Sequence, residues 1–171
     1  HLGDTVPIAK RTGAKVISIF EIAQYLGSQG LGEDQAIGMN IGGTVEVEGI
    51  KFTMVHAIHS SGIMGDGGIV DGGDPAGFVI EFENGYKVYH TGDTDFFGDM
   101  QYIGEFHKPN VMLTCIGDHF TMGPKTAARA VESIKPQHVI PMHYGTFPVL
   151  TGTPEELRNS LPEVMRDTVI T

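Results

Sequence analysis

The stretch GFVIEFENGYKVYHTGDT, residues 77–94, carries the first decision about the fold. Two apolar runs with β-type alternation flank Asn84-Gly85, a pair that closes two-residue hairpins because both positions accept positive φ. The second run ends in Thr91-Gly92-Asp93-Thr94, a tight polar turn at the carboxyl end of a predicted strand. One strand end with a polar turn is most often only a turn. Its meaning depends on whether other strands end the same way.

Three of them do. His59 follows FTMVHAI, Asp118-His119 follows VMLTCIG, and His143 follows HVIPM, so polar clusters stand at the ends of four separate apolar runs. In layered α/β proteins ligands gather where strand ends converge, which points to one shared site. Histidine and aspartate are also the donors that divalent transition metals select, and a carboxylate can bridge two ions. Asp93, held in a glycine turn, suits a bridging ligand, with Thr91 or Thr94 as donors that orient it. Residues three apart on a strand face opposite ways, so His59 is read at the site and His56 on the other face. His90 is assigned a structural role, and His107 and His138, beside prolines, the surface. Tyr144 and His119 are candidates for substrate contact or proton transfer. Met122-Gly123-Pro124 opens a helix whose free N–H groups favour a phosphate or carboxylate on the substrate.

The rest of the chain supports mixed α and β layers. Residues 4–12 read as a helix with Pro7 in its first turn and Gly13 as stop. AKVISI is a strand, FEIAQYLGSQG a helix, and QAIGMN a weak strand. TVEVEG and IKFTMVHAIH form a hairpin around Glu48-Gly49, and SSGIMGDGGIVDGGDPAG is a loop. Helices follow near 97–107, from Pro124 to before Pro136, and from Thr153-Pro154, where Glu156 completes a capping box. Strand order cannot be read from this pattern.

Composition bounds the function. The 171 residues form one domain, 1–171, without repeats or linkers. No apolar run approaches the roughly 20 residues of a membrane span. A formal net charge of -10 argues against a broad nucleic-acid surface and for small-molecule substrates. The single Cys115 lies in an apolar run, which suggests a buried thiol and, with no secretory signal in the first thirty residues, the cytoplasm.

The ordered set HLGDTVPIAKRTGAKV, NIGGTVEV, HSSGI, GGDPAGFVI, VYHTGDT, GDHFTMGP and VIPMHYGTFP resembles the metallo-β-lactamase superfamily over essentially the whole chain. Within it the chain is similar to a small family of metal-dependent hydrolases close to the ascorbate-phosphate lactonase-like proteins. The resemblance implies an α+β fold, the αββα four-layer sandwich, lacking its N-terminal strands. It implies that His1 is the last histidine of the His-x-His-x-Asp-His signature, whose earlier part belongs to a missing N-terminal segment of the same protein. Two divalent ions follow, zinc first and manganese second. His59 would serve the first ion, His1 and His143 the second, and Asp93 both. The implied reaction is hydrolysis of an ester, lactone or phosphoester by a bridging hydroxide between ions about 3.5 to 4 Å apart. The glycine-rich segment 62–77 would be a flap or pocket wall. Ser60, Asp118 and Thr121 would face the substrate. The missing half-signature leaves a second reading, a catalytically silent metal-binding or interaction module. An exposed sheet edge makes a homo-oligomer a further expectation for the chain without its N-terminal segment, not for the complete protein.

Overall fold

The computed structural model describes residues 2–65 and 67–171, so the expectation for His1 lies outside the described residues. The chain begins with α1 (Thr5–Thr12), β1 (Val16–Ile19), α2 (Phe20–Ser28) and β2 (Ala36–Met39). Gly13 ends α1 in the left-handed conformation, with its N–H on the Ala9 carbonyl. β1 and β2 pair in parallel as a small sheet. Val16 points to the helices, where Ala9, Leu26 and Leu31 cluster, and Ile17 and Ile19 point the opposite way.

The second part is one sheet with the order β10-β9-β8-β7-β4-β3. Its strands are β3 (Thr44–Val47), β4 (Ile50–His56), β7 (Ala76–Glu81), β8 (Lys87–His90), β9 (Val111–Cys115) and β10 (His138–Met142). Both expected hairpins form, β3 with β4 around Glu48-Gly49 and β7 with β8 around Asn84-Gly85. Period-two alternation sets the faces. On β4, Met54 joins Ile19 and Met39 toward the small sheet, and Val55 joins the opposite core. That larger core lies under α3 (Met100–His107), α4 (Pro124–Ile134) and α5 (Pro154–Ser160) and contains Tyr89, Met112, Val131 and Leu157. The layers therefore run helices, small sheet, large sheet, helices, the αββα arrangement.

Direction matters more than order. β8, β9 and β10 are mutually parallel, and β4 is antiparallel to β7, which is antiparallel to β8. β4 thus runs with the other three, and all four carboxyl ends meet one edge of the sheet.

Several local expectations are corrected. The segment after His59 is not a plain loop: β5 (Ile63–Gly65) and β6 (Gly68–Val70) pair as a short antiparallel ribbon. Strands of three residues inside a glycine-rich stretch give no alternation to read. A 3-10 helix at Glu163–Thr168 follows α5 and was not expected. α3 starts at Met100, three residues later than read. The capping box of Thr153 and Glu156 is present in both directions. His138 is exposed as expected, but His107 is half-buried.

Burial holds the His107 imidazole below its ordinary value; Lys87 adds to this and Glu81 opposes it. A histidine with a lowered folded pKa contributes stability that is complete above about pH 6.5 and is lost as pH falls through the folded value, because the unfolded chain binds the proton more readily. Urea unfolding at pH 7.5 and 5.5 should therefore show a smaller acid-side loss in His107→Gln than in the parent. An identical loss in both would rule out this contribution.

Candidate metal centre

Each cluster leaves its strand through a sharp turn. Gly92 has φ 66°, and a Cβ there would lie 2.6 Å from the Ala76 carbonyl oxygen, so the Asp93 turn needs glycine to lie against β7. At the end of β9, a Cβ on Gly117 would overlap the His143 carbonyl, so glycine lets the ends of β9 and β10 touch. Asp118, His119 and His143 all adopt left-handed backbone, with φ of 63°, 53° and 58°. Non-glycine residues rarely accept this conformation, and its concentration at one sheet edge is typical of working sites.

Asp93 and His143 are brought together. The Asp93 Oδ2 to His143 Nε2 distance is 3.4 Å, and both side chains are largely buried. Asp93 also lines a cleft of about 840 Å³ between the small and large sheets, which it shares with His59, Ser60, Gly92 and, just before α1, Leu2 and Gly3. His59 is exposed, with Nδ1 2.9 Å from the Ser60 carbonyl and Nε2 3.0 Å from the Phe120 carbonyl. A neutral imidazole has one N–H, so it can donate to only one of these carbonyls at a time. Among the described residues, no three His, Cys, Asp or Glu side chains converge as a metal set. The pair Asp93 and His143 nevertheless offers the carboxylate and imidazole donors suited to a divalent transition metal.

Thr94 ties the strand ends to one another. It is fully buried. Its Oγ1 accepts from the Ile58 N–H at 2.9 Å and donates to the Asp95 carbonyl at 2.7 Å. The Asp95 N–H returns a bond to the Ile58 carbonyl at 3.0 Å, and the Met122 N–H donates to the Thr94 carbonyl at 3.1 Å. The Cys115 thiol donates to the same carbonyl at 3.5 Å. Thr91 Oγ1 donates to the Gly92 carbonyl at 2.7 Å. Each hydroxyl carries one proton, so neither threonine donates to Asp93; they shape its backbone. The sequence reading of Thr91 or Thr94 as a donor to the carboxylate is corrected accordingly. Cys115 is buried and free, as expected, and its bond to Thr94 had no local signal in the sequence.

The remaining candidates separate. His90 Nδ1 accepts from the Gly92 N–H at 3.0 Å, the structural role expected of it. Burial lowers its pKa, with Asp93 opposing, and an accepting nitrogen must be unprotonated. His56 packs edge-on against Phe97 with ring centroids 5.2 Å apart, on the α3 side. Tyr144 packs half-buried against the main core. His119 and Asp118 are exposed, and Thr121 is half-buried with its Oγ1 3.4 Å from the Met122 carbonyl. Asp118 Oδ1 accepts from the His119 N–H at 2.7 Å, and a Cβ on Gly123 would lie 2.9 Å from Asp118 Oδ2. The chain's own carboxylate therefore stands at the N-terminus of α4, where an anionic substrate group was expected.

With this geometry, comparison with known proteins is decisive. The family described as Beta-lactamase superfamily domain matches residues 1–144. The chain belongs to the beta-lactamase superfamily. It is 57% identical over 161 residues to a protein of Methanosarcina mazei, covering 94% of this chain and 68% of that one. It is 54% identical over 167 residues to one of Methanopyrus kandleri, covering 98% and 71%. Both are named UPF0173 metal-dependent hydrolase, and this chain is a member of that family. Igni18, described as a novel metallo hydrolase from the hyperthermophilic archaeon Ignicoccus hospitalis, superposes with a TM-score of 0.87 at 38% identity, covering 100% of this chain and 70% of its own. The metallo-beta-lactamase fold protein YhfI from Bacillus subtilis shares the fold, with a TM-score of 0.65 at 16% identity over 94% of this chain and 64% of its own.

Replacing Thr94 by Val keeps the volume and removes the acceptor for Ile58. Chemical denaturation should show a loss of about 1–3 kcal/mol, with Thr94→Ser recovering most of it. A valine variant as stable as the parent would remove Thr94 from its place as the tie.

Proposed function

We propose that this metal-dependent hydrolase cleaves an ester, lactone or phosphoester bond in a small molecule at a centre of two divalent ions, zinc by preference and manganese second. The observation that carries this reading is the position of Asp93, which contacts His143 on one side and faces the cleft shared with His59 on the other. A carboxylate so placed can serve two ions, with His143 on one and His59 on the other once its ring leaves the Phe120 carbonyl. The chain spans 68% and 71% of the two curated relatives' lengths, and the donors that would complete each set are proposed to come from His1 and from the relatives' additional length. When bound, the ions supply Lewis acidity that acidifies water and polarises the bond to be cut.

The chain's own residues do the rest. The Thr94 network holds the Asp93 turn and the His59 segment in register, so the donors are aimed before substrate arrives. His119, exposed and with left-handed backbone, would pass a proton to the leaving group. Ser60 lines the cleft and can hydrogen-bond a substrate oxygen, a role proposed for Thr121 as well. No described helix is long and apolar enough to cross a membrane. The buried free thiol of Cys115 supports a reducing, cytoplasmic setting as part of the same proposal. A second reading, a catalytically silent metal-binding or interaction module, draws on the lack of three converging donors among the described residues, which leaves the catalytic set incomplete there.

Zinc-loaded and manganese-loaded protein should turn over at least one member of a panel of p-nitrophenyl esters, lactones and phosphodiesters. Asp93→Asn should reduce that rate on the order of a hundredfold or more, and His138→Gln, exposed at the opposite end of β10, should match the parent. Turnover that ignores Asp93→Asn would sink the hydrolase mechanism, and bound metal without turnover would select the module.

A further inference from the structure

The pairing of β7 with β8 stops before β7 does. Phe78 pairs with His90, and the same register continued would set Gly92 opposite Ala76. Ala76 and Gly77 still belong to β7 and pair with β4, but the chain after His90 turns away from them. Gly92 takes φ 66°, and its N–H donates to His90 Nδ1 at 3.0 Å instead of joining the ladder. The Gly92 carbonyl is held as well, by Thr91 Oγ1 at 2.7 Å. Both polar groups of the residue before Asp93 are therefore bound by side chains.

The backbone on either side of this turn is anchored independently. The Thr91 N–H donates to the Leu113 carbonyl of β9 at 3.0 Å. A Cβ on Gly77 would lie 2.8 Å from the carbonyl oxygens of both His90 and Thr91, so the chain is pressed against β7 up to the turn. Beyond it, Thr94 is tied to Ile58 and Asp95. Between these anchors the direction in which Asp93 leaves the sheet is set at Gly92, which has no side chain to restrict it. His90 supplies the restriction from two residues back. Its half-buried side chain points away from the core that contains Tyr89 and stands opposite Phe78, which lines the cleft with Asp93. The same kind of bond recurs elsewhere in the chain: Asn84 Oδ1 accepts from the Tyr86 N–H at 3.0 Å and Asp71 Oδ1 from the Gly73 N–H at 2.9 Å. Asparagine and aspartate are the usual acceptors in such turns, and at residue 90 an imidazole takes their place.

Resting on the metal-centre reading above, we infer that His90 is a positioning residue for Asp93: its Nδ1 draws the Gly92 N–H out of the β7–β8 ladder and so aims the Asp93 carboxylate at the cleft. A neutral ring with its proton on Nε2 provides that acceptor. His90 needs no contact with ion or substrate, because it acts through the Gly92 peptide. Metal affinity then depends on a side chain that is not itself a donor.

Two substitutions separate this role from packing. His90→Phe keeps a ring and loses the acceptor; His90→Asn gives up the ring and keeps an acceptor on Cγ, where Nδ1 stands. In metal-free protein, amide exchange followed by NMR should show the Gly92 N–H protected in the parent and in His90→Asn and several-fold less protected in His90→Phe. The Asp93 backbone shifts should move in His90→Phe and stay near the parent's in His90→Asn. Zinc affinity, measured by competition with a chelator, should fall about tenfold or more in His90→Phe and be largely recovered in His90→Asn. A packing role predicts the reverse order, with phenylalanine the milder change. That order, Gly92 protection equal in all three proteins, or zinc affinity that does not follow Gly92 protection would overturn the inference. If His90→Phe fails to fold by circular dichroism, His90→Ala replaces it against His90→Asn with the same expectations. A parent that binds no zinc, yet shows the Gly92 and Asp93 responses, would leave His90 as the residue that aims Asp93 and defeat the metal reading.

Discussion

Thr94 is the point on which the site depends. One buried residue receives the backbone that leads to His59, the backbone that leads from the Asp118 loop into α4, and the thiol that ends β9. These partners come from segments distant in the chain, and each would otherwise have an unmatched polar group at a sheet edge. A buried group without a partner costs about 1–3 kcal/mol, so the network draws the strand ends together and fixes where Asp93 sits between them. Metal affinity depends on such preorganisation, because donors that must be gathered on binding give up part of the binding energy.

The sheet supplies the second condition. β4, β8, β9 and β10 run in one direction although β7 lies between β4 and β8, so their ends share one edge. The glycines at 92 and 117 then allow neighbouring strand ends to approach more closely than any side chain permits. Helices α3, α4 and α5 cover one face and the small sheet the other, leaving the edge as the place where polar groups can meet both ligand and solvent.

Much of this was readable in the sequence, for physical reasons that differ by element. Both hairpins and the α5 capping box are local, because their turn and cap chemistry is contained in a few consecutive residues. The strand-end clusters were readable because apolar runs stop where His59, Asp93, Asp118 and His143 begin. The ties among them were not. A threonine that bonds a residue 36 positions away, or a thiol that bonds a carbonyl 21 positions away, has no periodicity to reveal it. Thr94 was singled out for its neighbour Asp93, although its hydroxyl serves Ile58 and Asp95. The β5–β6 ribbon escaped because three-residue strands among glycines lack alternation. The half-burial of His107 depends on packing between distant elements, and Pro109 beside it suggested only a helix end.

The central claim is that Asp93 and His143 are donors to a bound divalent ion. Elemental analysis of purified, dialysed protein, run in parallel on the parent, Asp93→Ala and His143→Ala, addresses it directly. The account predicts a divalent transition metal retained by the parent and largely lost from both variants, with all three folded by circular dichroism. A metal-free parent, or variants that keep as much metal as the parent, would contradict it.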